Sequence, residues 1–218
     1  MNTRPKVELL EKNRPRQARA KRTYDAILSS AAELLVEVGV ERISTNLVAE
    51  RAGITVPALY RYFPNKYSVL YTLGSVLMDS QNAAFQEWFD QGKYQPADEE
   101  LLVNIHELLL KTYQVTQQQI GGAEIIQSLR AVGPLQELRL ESHRLIASQL
   151  ALIAQERMHV PVTPALLLQC RLTIDMGYSV VEMALEDTEL PAEAILREGA
   201  AMLRSYWLDL LQGSSPDT

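Results

Sequence analysis

The sequence predicts an all-α protein of about nine helices, with a three-helix amino-terminal domain followed by a longer helical body. Three observations lead there. Apolar residues recur at three- and four-residue spacing along nearly the whole chain. Glycine and proline fall between those runs and rarely interrupt them. Charge is also divided: residues 1–72 carry 12 Lys/Arg against 7 Asp/Glu, and residues 73–218 carry 9 against 20, for a net charge of −6. The basic third is the part suited to a polyanion, and the acidic remainder faces away from it.

Residues 1–21 mix prolines with many basic residues and predict a flexible basic arm. Such an arm either reaches a minor groove beside a DNA-bound domain or serves only solubility. From Thr23 to Val38 the first helix sets Ile27, Ala31, Leu34, Leu35 and Val38 on one face, and Gly39 ends it as a left-handed cap. Ser44 is placed to cap a second helix. Leu47, Val48 and Ala52 give that helix its apolar stripe, and Gly53 permits a sharp turn. Thr55 caps a third helix with Pro57 in its first turn. This last helix turns only Leu59 and Phe63 clearly inward, leaving Val56, Ala58, Tyr60 and Tyr62 for another surface. The pattern is a helix-turn-helix whose second helix suits a DNA major groove. A three-helix bundle with no DNA role is the competing reading.

The run AGITVPALYRYFPNK, residues 52–66, resembles the end of the DNA-binding domain of TetR-family transcriptional regulators. The stretch from Arg22 through Ala31 and Ala32 to Gly39 is similar to that family's first helix and turn. The resemblance covers about the first third of the chain. It rests on Ala49, Ala52-Gly53, Leu59-Tyr60, Tyr62-Phe63 and Lys66 at fixed spacing. It implies a helix-turn-helix domain over residues 22–68 and a ligand-binding and dimerisation body over 69–212, with 213–218 as a disordered tail.

The resemblance also implies roles. Thr45 matches a phosphate-contacting hydroxyl, and Asn46 a base reader able to pair with adenine N6 and N7. Thr55 joins this contact set, while Val56 and Pro57 match base-facing positions and favour thymine methyl groups. Tyr60 fits a position packing on a base or sugar, and Tyr62 and Lys66 fit phosphate clamps. Ala58 departs from the hydroxyl residue often found there, so one phosphate contact is missing. With few polar base readers, much of the specificity is expected from DNA shape and spacing.

In the body, a fourth helix is predicted from Asn65 to about Asp90, with Val69, Leu73, Val76 and Leu77 inward. A fifth spans about 98–118, on Leu101, Ile105, Leu108, Leu109 and Thr112. After Gly121-Gly122 a short helix runs to Val132, and a seventh covers about 135–158. The last two run from about Pro164 to Asp187 and from about Pro191 to Leu211. Cys170, Thr173, Gly177, Val181 and Ala184 line up on the first of them, and Ile195, Gly199, Met202 and Tyr206 on the second. Small residues let helix axes approach, so these stripes predict a homodimer through a four-helix bundle, or else an ordinary intrachain core. The resemblance favours the dimer.

It further implies a small-molecule effector bound between body helices. The candidate contacts are Phe85, Trp88, His106, Tyr113, Gln117, Leu129, His143, Met176 and Tyr178. The acidic body hints at a cationic ligand. The partners implied are an inverted-repeat double-stranded DNA operator and an effector that releases a repressor from it.

Other classes find little support. The single Cys170 rules out an intramolecular disulfide framework and suits a reducing compartment. No signal-peptide pattern and no run of 18 apolar residues is present, so a cytoplasmic protein with no membrane partner is expected. His106, His143 and His159 lie far apart, and no HExxH occurs. No metal, cofactor or catalytic residue is predicted, and the chain does not read as an enzyme.

Overall fold

A computed structural model describes residues 7–92, 105–158 and 160–213. Among these residues there are nine helices and no strand. They are α1 (Ala18–Arg42), α2 (Thr45–Arg51), α3 (Val56–Leu59), α4 (Lys66–Gly92), α5 (Ile105–Gln118), α6 (Gly122–Ala131), α7 (Gly133–Met158), α8 (Pro164–Glu186) and α9 (Ala192–Gly213). The expected start of the fifth helix with Leu101, His159 and residues 214–218 lie outside the described residues.

The helices form two compact units. One comprises the chain up to Asp79 together with Gln117–Leu140, the other Ser80–Thr116 together with Glu141 onward. A single cut after residue 68 does not describe this division, because α6 returns to pack on α1. Two glycines allow that return. Gly121 holds φ +68, and a Cβ on it would sit 2.9 Å from the Ala32 carbonyl oxygen. A Cβ on Gly74 would come within 2.7 Å of Leu129 Cδ2. Leu129, expected at a ligand, is instead a buried core residue of this first unit.

The local signals act where they were expected. Gly39 adopts φ 73 within α1 and breaks it, so only a short turn follows to Arg42. Ser44 Oγ accepts from the Leu47 amide, and Thr55 Oγ1 from the Ala58 amide. Gly53 takes φ +66 between α2 and α3. Asn65 caps α4: its Oδ1 accepts from the Ser68 amide while Ser68 Oγ accepts from the Asn65 amide, a reciprocal pair. Ile27, Ala31, Leu34, Leu35, Leu59 and Phe63 are buried as predicted, but Val76 is exposed.

The basic arm is the first correction. Helix α1 starts at Ala18, and of the described residues before it Glu8, Glu11, Lys12 and Asn13 are bonded to the domain. The Lys12 amide donates to the Tyr62 carbonyl at 2.7 Å, and Asn13 Nδ2 to the Arg61 carbonyl at 2.8 Å. Asn65 Nδ2 reaches the Glu8 carbonyl, and the Tyr24 hydroxyl donates to Glu11. Composition suggested a loose segment. The Lys12 amide and the Glu8 carbonyl nonetheless find partners just after α3 and just before α4.

In the second unit, α8 and α9 pack closely along their length. Thr163 caps α8 through the Leu166 amide. The stripe expected at a dimer interface lies inside the chain: Cys170, Thr173, Gly177, Val181, Ala184, Ile195 and Gly199 are all buried. A residue with no surface left has none to cover against a second copy. Gly199 shows why the stripe is small, since a Cβ there would lie 2.4 Å from Val180 Cγ1. Of the interface candidates, only Met202, 61% exposed, and half-buried Tyr206 retain accessible surface. Burial pushes the Cys170 thiol up to about 11, so it stays protonated and inert near neutrality.

Candidate nucleic-acid interface and internal cavity

In the first unit, α2 and α3 are short and are held by their caps and by ion pairing. Arg51, near the end of α2, forks onto Glu37 of α1 at 2.6 and 2.8 Å and reaches Glu33 at 3.4 Å. The Arg51 hydrogen bond holds the Glu37 carboxyl below its ordinary range despite some desolvation. The outward positions of both helices then carry the expected contact residues. Asn46, Thr55, Pro57 and Tyr60 are exposed, and Thr45 and Val56 are half-buried. Thr45 Oγ1 and the Tyr60 hydroxyl lie 3.1 Å apart, tying the first turn of α2 to the end of α3. Both groups keep hydrogen-bonding capacity toward solvent, so the pair can meet a phosphate while fixing the spacing of the two helices.

Tyr62 and Lys66 sit differently from what the resemblance implied. Half-buried Tyr62 packs edge-on against Tyr24, with ring centroids 6.1 Å apart. Lys66 is turned toward the end of α1. Its ammonium donates to the carbonyls of Ile43 at 3.1 Å, Val40 at 3.3 Å and Glu41 at 3.5 Å. Those carbonyls lie past the break at Gly39, where intrahelical partners run out. In this geometry Lys66 acts as a structural cap for α1 and not as an outstretched phosphate clamp. The sequence signal that misled was position: a lysine at a helix start beside a DNA-binding helix.

The second unit contains an apolar, partly open cavity of about 80 Å³. It is walled by Gln81, Phe85 and Trp88 of α4, by Ile105–Thr112 positions of α5, and by residues of α7, α8 and α9. Phe85, Trp88 and Tyr178 of the expected set line it; His106, Tyr113, Gln117, Leu129, His143 and Met176 do not. His106 pairs with Glu193 at 3.2 Å, Tyr113 packs on the core from its edge, and Met176 is exposed. Gln117 is exposed and falls, with Leu129, in the first unit. Thr173, Gly177 and Val181, expected at a dimer interface, line the cavity instead. No charged side chain is among the described lining residues, which removes the basis for a cationic ligand.

His143 stands behind the wall. Its ring stacks on Tyr178 at 4.2 Å and 7°, and its Nδ1 meets Asp175 Oδ1 at 2.5 Å. Arg171 Nε donates to the other Asp175 oxygen at 2.6 Å. Burial raises the Asp175 carboxyl, but the bonds from Arg171 and His143 outweigh it and hold the group below its usual range. Ser142 donates its hydroxyl proton to Asn82 of α4 at 2.8 Å and so can only accept from the neighbouring Tyr178 hydroxyl. Tyr178 is thus clamped from both sides. Gln81 was missed by sequence reasoning, although it follows Leu77 and precedes Phe85 on the inward face of α4.

Fold and site together define a helix-turn-helix protein whose body holds a separate apolar cavity. Residues 27–71 match the family described as bacterial regulatory proteins, tetR family. The tetracycline repressor protein class C of Escherichia coli is 41% identical over 54 residues, 25% of this chain and 25% of the relative. The matched segment therefore spans a quarter of that relative's length. A TetR-family transcriptional regulator from Streptomyces coelicolor shares the fold with a TM-score of 0.60 at 20% identity, covering 86% of this chain and 98% of the other. The transcriptional regulator FadR from Bacillus subtilis, solved in complex with stearoyl-CoA, has a TM-score of 0.64 at 17% identity over 84% of this chain and 98% of that one. Residues 27–71 thus carry the amino-terminal domain of that family, and the rest of the chain shares a fold with the solved regulators. The family and the relatives the chain resembles are described as regulatory proteins, a repressor and transcriptional regulators. Among the described residues no helix is long and apolar enough to cross a membrane, and no cluster of three His, Cys, Asp or Glu could hold a metal.

Proposed function

We propose that this protein is a cytoplasmic, ligand-responsive repressor that binds an inverted-repeat operator as a homodimer and leaves it when a small molecule enters the body. The observation that carries the DNA reading is the outward set Thr45, Asn46, Thr55, Val56, Pro57 and Tyr60 on two capped, braced helices. Asn46 is the base reader, Val56 and Pro57 meet thymine methyl groups, and Thr45 with Tyr60 positions the sugar–phosphate chain. Two such helices about 34 Å apart would face successive major-groove turns.

The dimer face consists of exposed apolar residues on α8 and α9: Leu168, Leu172, Met176, Met183 and Met202. Leu168, Leu172 and Met176 follow at four-residue intervals, and exposed apolar stripes of this kind mark association surfaces. A ligand in the cavity acts only through its differential affinity for two conformations, one with operator spacing and one without. Helix α4, which carries Gln81, Phe85 and Trp88, follows directly on the helix-turn-helix in the chain and is the natural carrier of that change.

Selection of bound duplexes from a random pool, at low and moderate salt, tests the reading. Enrichment of an inverted repeat is expected. Enrichment of unrelated sequences at both salts, or of none, would leave a helical binding protein without a DNA role. Leu172→Glu should convert the dimer to monomer in sedimentation analysis, and an unchanged dimer would move the interface elsewhere.

A further inference from the structure

Gln81, one of the residues lining the cavity and only 1% exposed, carries a buried polar atom without a partner, its Oε1. Proton inventory decides which end of the amide this is. Thr116 has one hydroxyl proton and donates it to the Thr112 carbonyl at 2.7 Å. Toward Gln81 it can only accept, so Gln81 turns its NH₂ to Thr116, at 2.8 Å, and leaves Oε1 as the open acceptor.

The remaining wall groups are engaged. Thr112 donates to the Leu108 carbonyl at 2.8 Å. Thr173 donates to the Gln169 carbonyl at 2.9 Å and accepts from Trp207 Nε1 at 3.0 Å. The Tyr178 hydroxyl is bonded by Ser142. A buried acceptor with no donor is costly, and native proteins seldom retain one without a purpose.

We propose that the cavity binds a neutral, slender, largely apolar molecule with one hydrogen-bond donor, a hydroxyl or amide N–H, which donates to Gln81 Oε1. This rests on the reading of the body as an effector-binding unit. A carboxylate would set acceptor against acceptor, and either sign of charge would be buried with no counter-charge on the described walls. The volume argues for slenderness: about 80 Å³ encloses only part of a linear molecule, and the remainder would extend through the open side of the cavity.

Both tryptophans of the chain, Trp88 and Trp207, line the cavity and report its occupancy by fluorescence. Titration of the full-length protein with 1-hexanol, its isomer methyl pentyl ether and hexanoate tests the proposal. The alcohol should bind about tenfold more tightly than the ether, as one good hydrogen bond allows, and more tightly than hexanoate. Gln81→Met should bring alcohol and ether close to parity. Equal binding of the two isomers to the native protein overturns the proposal, as does a preference for hexanoate or an alcohol preference that survives Gln81→Met. If that variant does not fold, the native alcohol–ether comparison still decides. Failure of all three probes to perturb native tryptophan emission overturns the effector-binding reading itself, leaving the DNA-binding reading standing.

Discussion

The two units use polar side chains in opposite ways. In the first, Ser44, Thr55, Asn65 and Lys66 are turned onto backbone groups at helix ends. The result is a surface whose shape is fixed from within, so that the outward residues can be presented without reorganisation. In the second, buried polar side chains are paired with other side chains: His143 with Asp175, Ser142 with Asn82, Trp207 with Thr173, Gln81 with Thr116. There they brace the walls of a space. Short, braced elements can present an outward edge, whereas longer helices can enclose a space between them.

Glycines test this contrast most strongly. Gly199 is required for packing, with Val180 Cγ1 2.4 Å from where a Cβ would lie. Gly53 is required for its backbone alone, since φ is +66 and nothing lies within 4 Å. Gly199→Ala should therefore destabilise by about 1–3 kcal/mol despite alanine's better helix propensity. Val180→Ala on top of it should restore part of the loss. Gly53→Ala should cost about 1–2 kcal/mol through left-handed backbone strain, and Gly53→Asn less. Urea unfolding measures all four. If Val180→Ala fails to relieve Gly199→Ala, the close approach of α8 and α9 is not what the glycine serves.

A second pair separates the two tasks within the first unit. Lys66→Met leaves three carbonyls near the end of α1 without their cation and should lower stability by about 1–3 kcal/mol. Its salt dependence of DNA binding should not change. Asn46→Ala should do the reverse, with stability held and about 1–3 kcal/mol of preference lost at one base pair. A flattened salt slope for Lys66→Met would return that lysine to the phosphate contacts.

These residues also show what the sequence could and could not tell. The caps at Ser44 and Thr55 and the turns at Gly39 and Gly53 were legible because each depends on neighbours three or four residues away. So was the outward face of α2 and α3. The docking of residues 8–13, the return of α6 to α1 and the cavity depend on contacts between residues tens of positions apart, which periodicity does not encode. The small-residue stripe of α8 was assigned to a dimer interface, because spacing alone could not say that it lies inside the chain, with Thr173, Gly177 and Val181 on the cavity wall. Gln81 could have been flagged as the one amide on an otherwise apolar helix face.

The smallest expected effect sharpens the comparison through pH. Glu37 and Asp175 are both held below their usual carboxylate range, the first mainly by Arg51, the second by Arg171 and His143 against the opposing effect of burial. A carboxylate with a depressed folded-state pKa adds stability above its unfolded value, near 3.8 for Asp175, and that stability is lost as pH falls through the folded value. Both groups therefore contribute at neutrality and to an acid-side decline. The Glu37–Arg51 pair is solvent-exposed, so its share is small and fades as salt rises. Asp175 is partly exposed but faces a His143 side chain only 1% exposed, and protonating it would leave Arg171 and His143 without their shared anion. Asp175→Asn should therefore flatten the acid limb of a stability–pH curve even at high salt, whereas Glu37→Gln should alter it only at low salt. Equal salt sensitivity of the two variants would mean that the second unit's network is as solvated as the first unit's surface, and the contrast between the units would fail at this point.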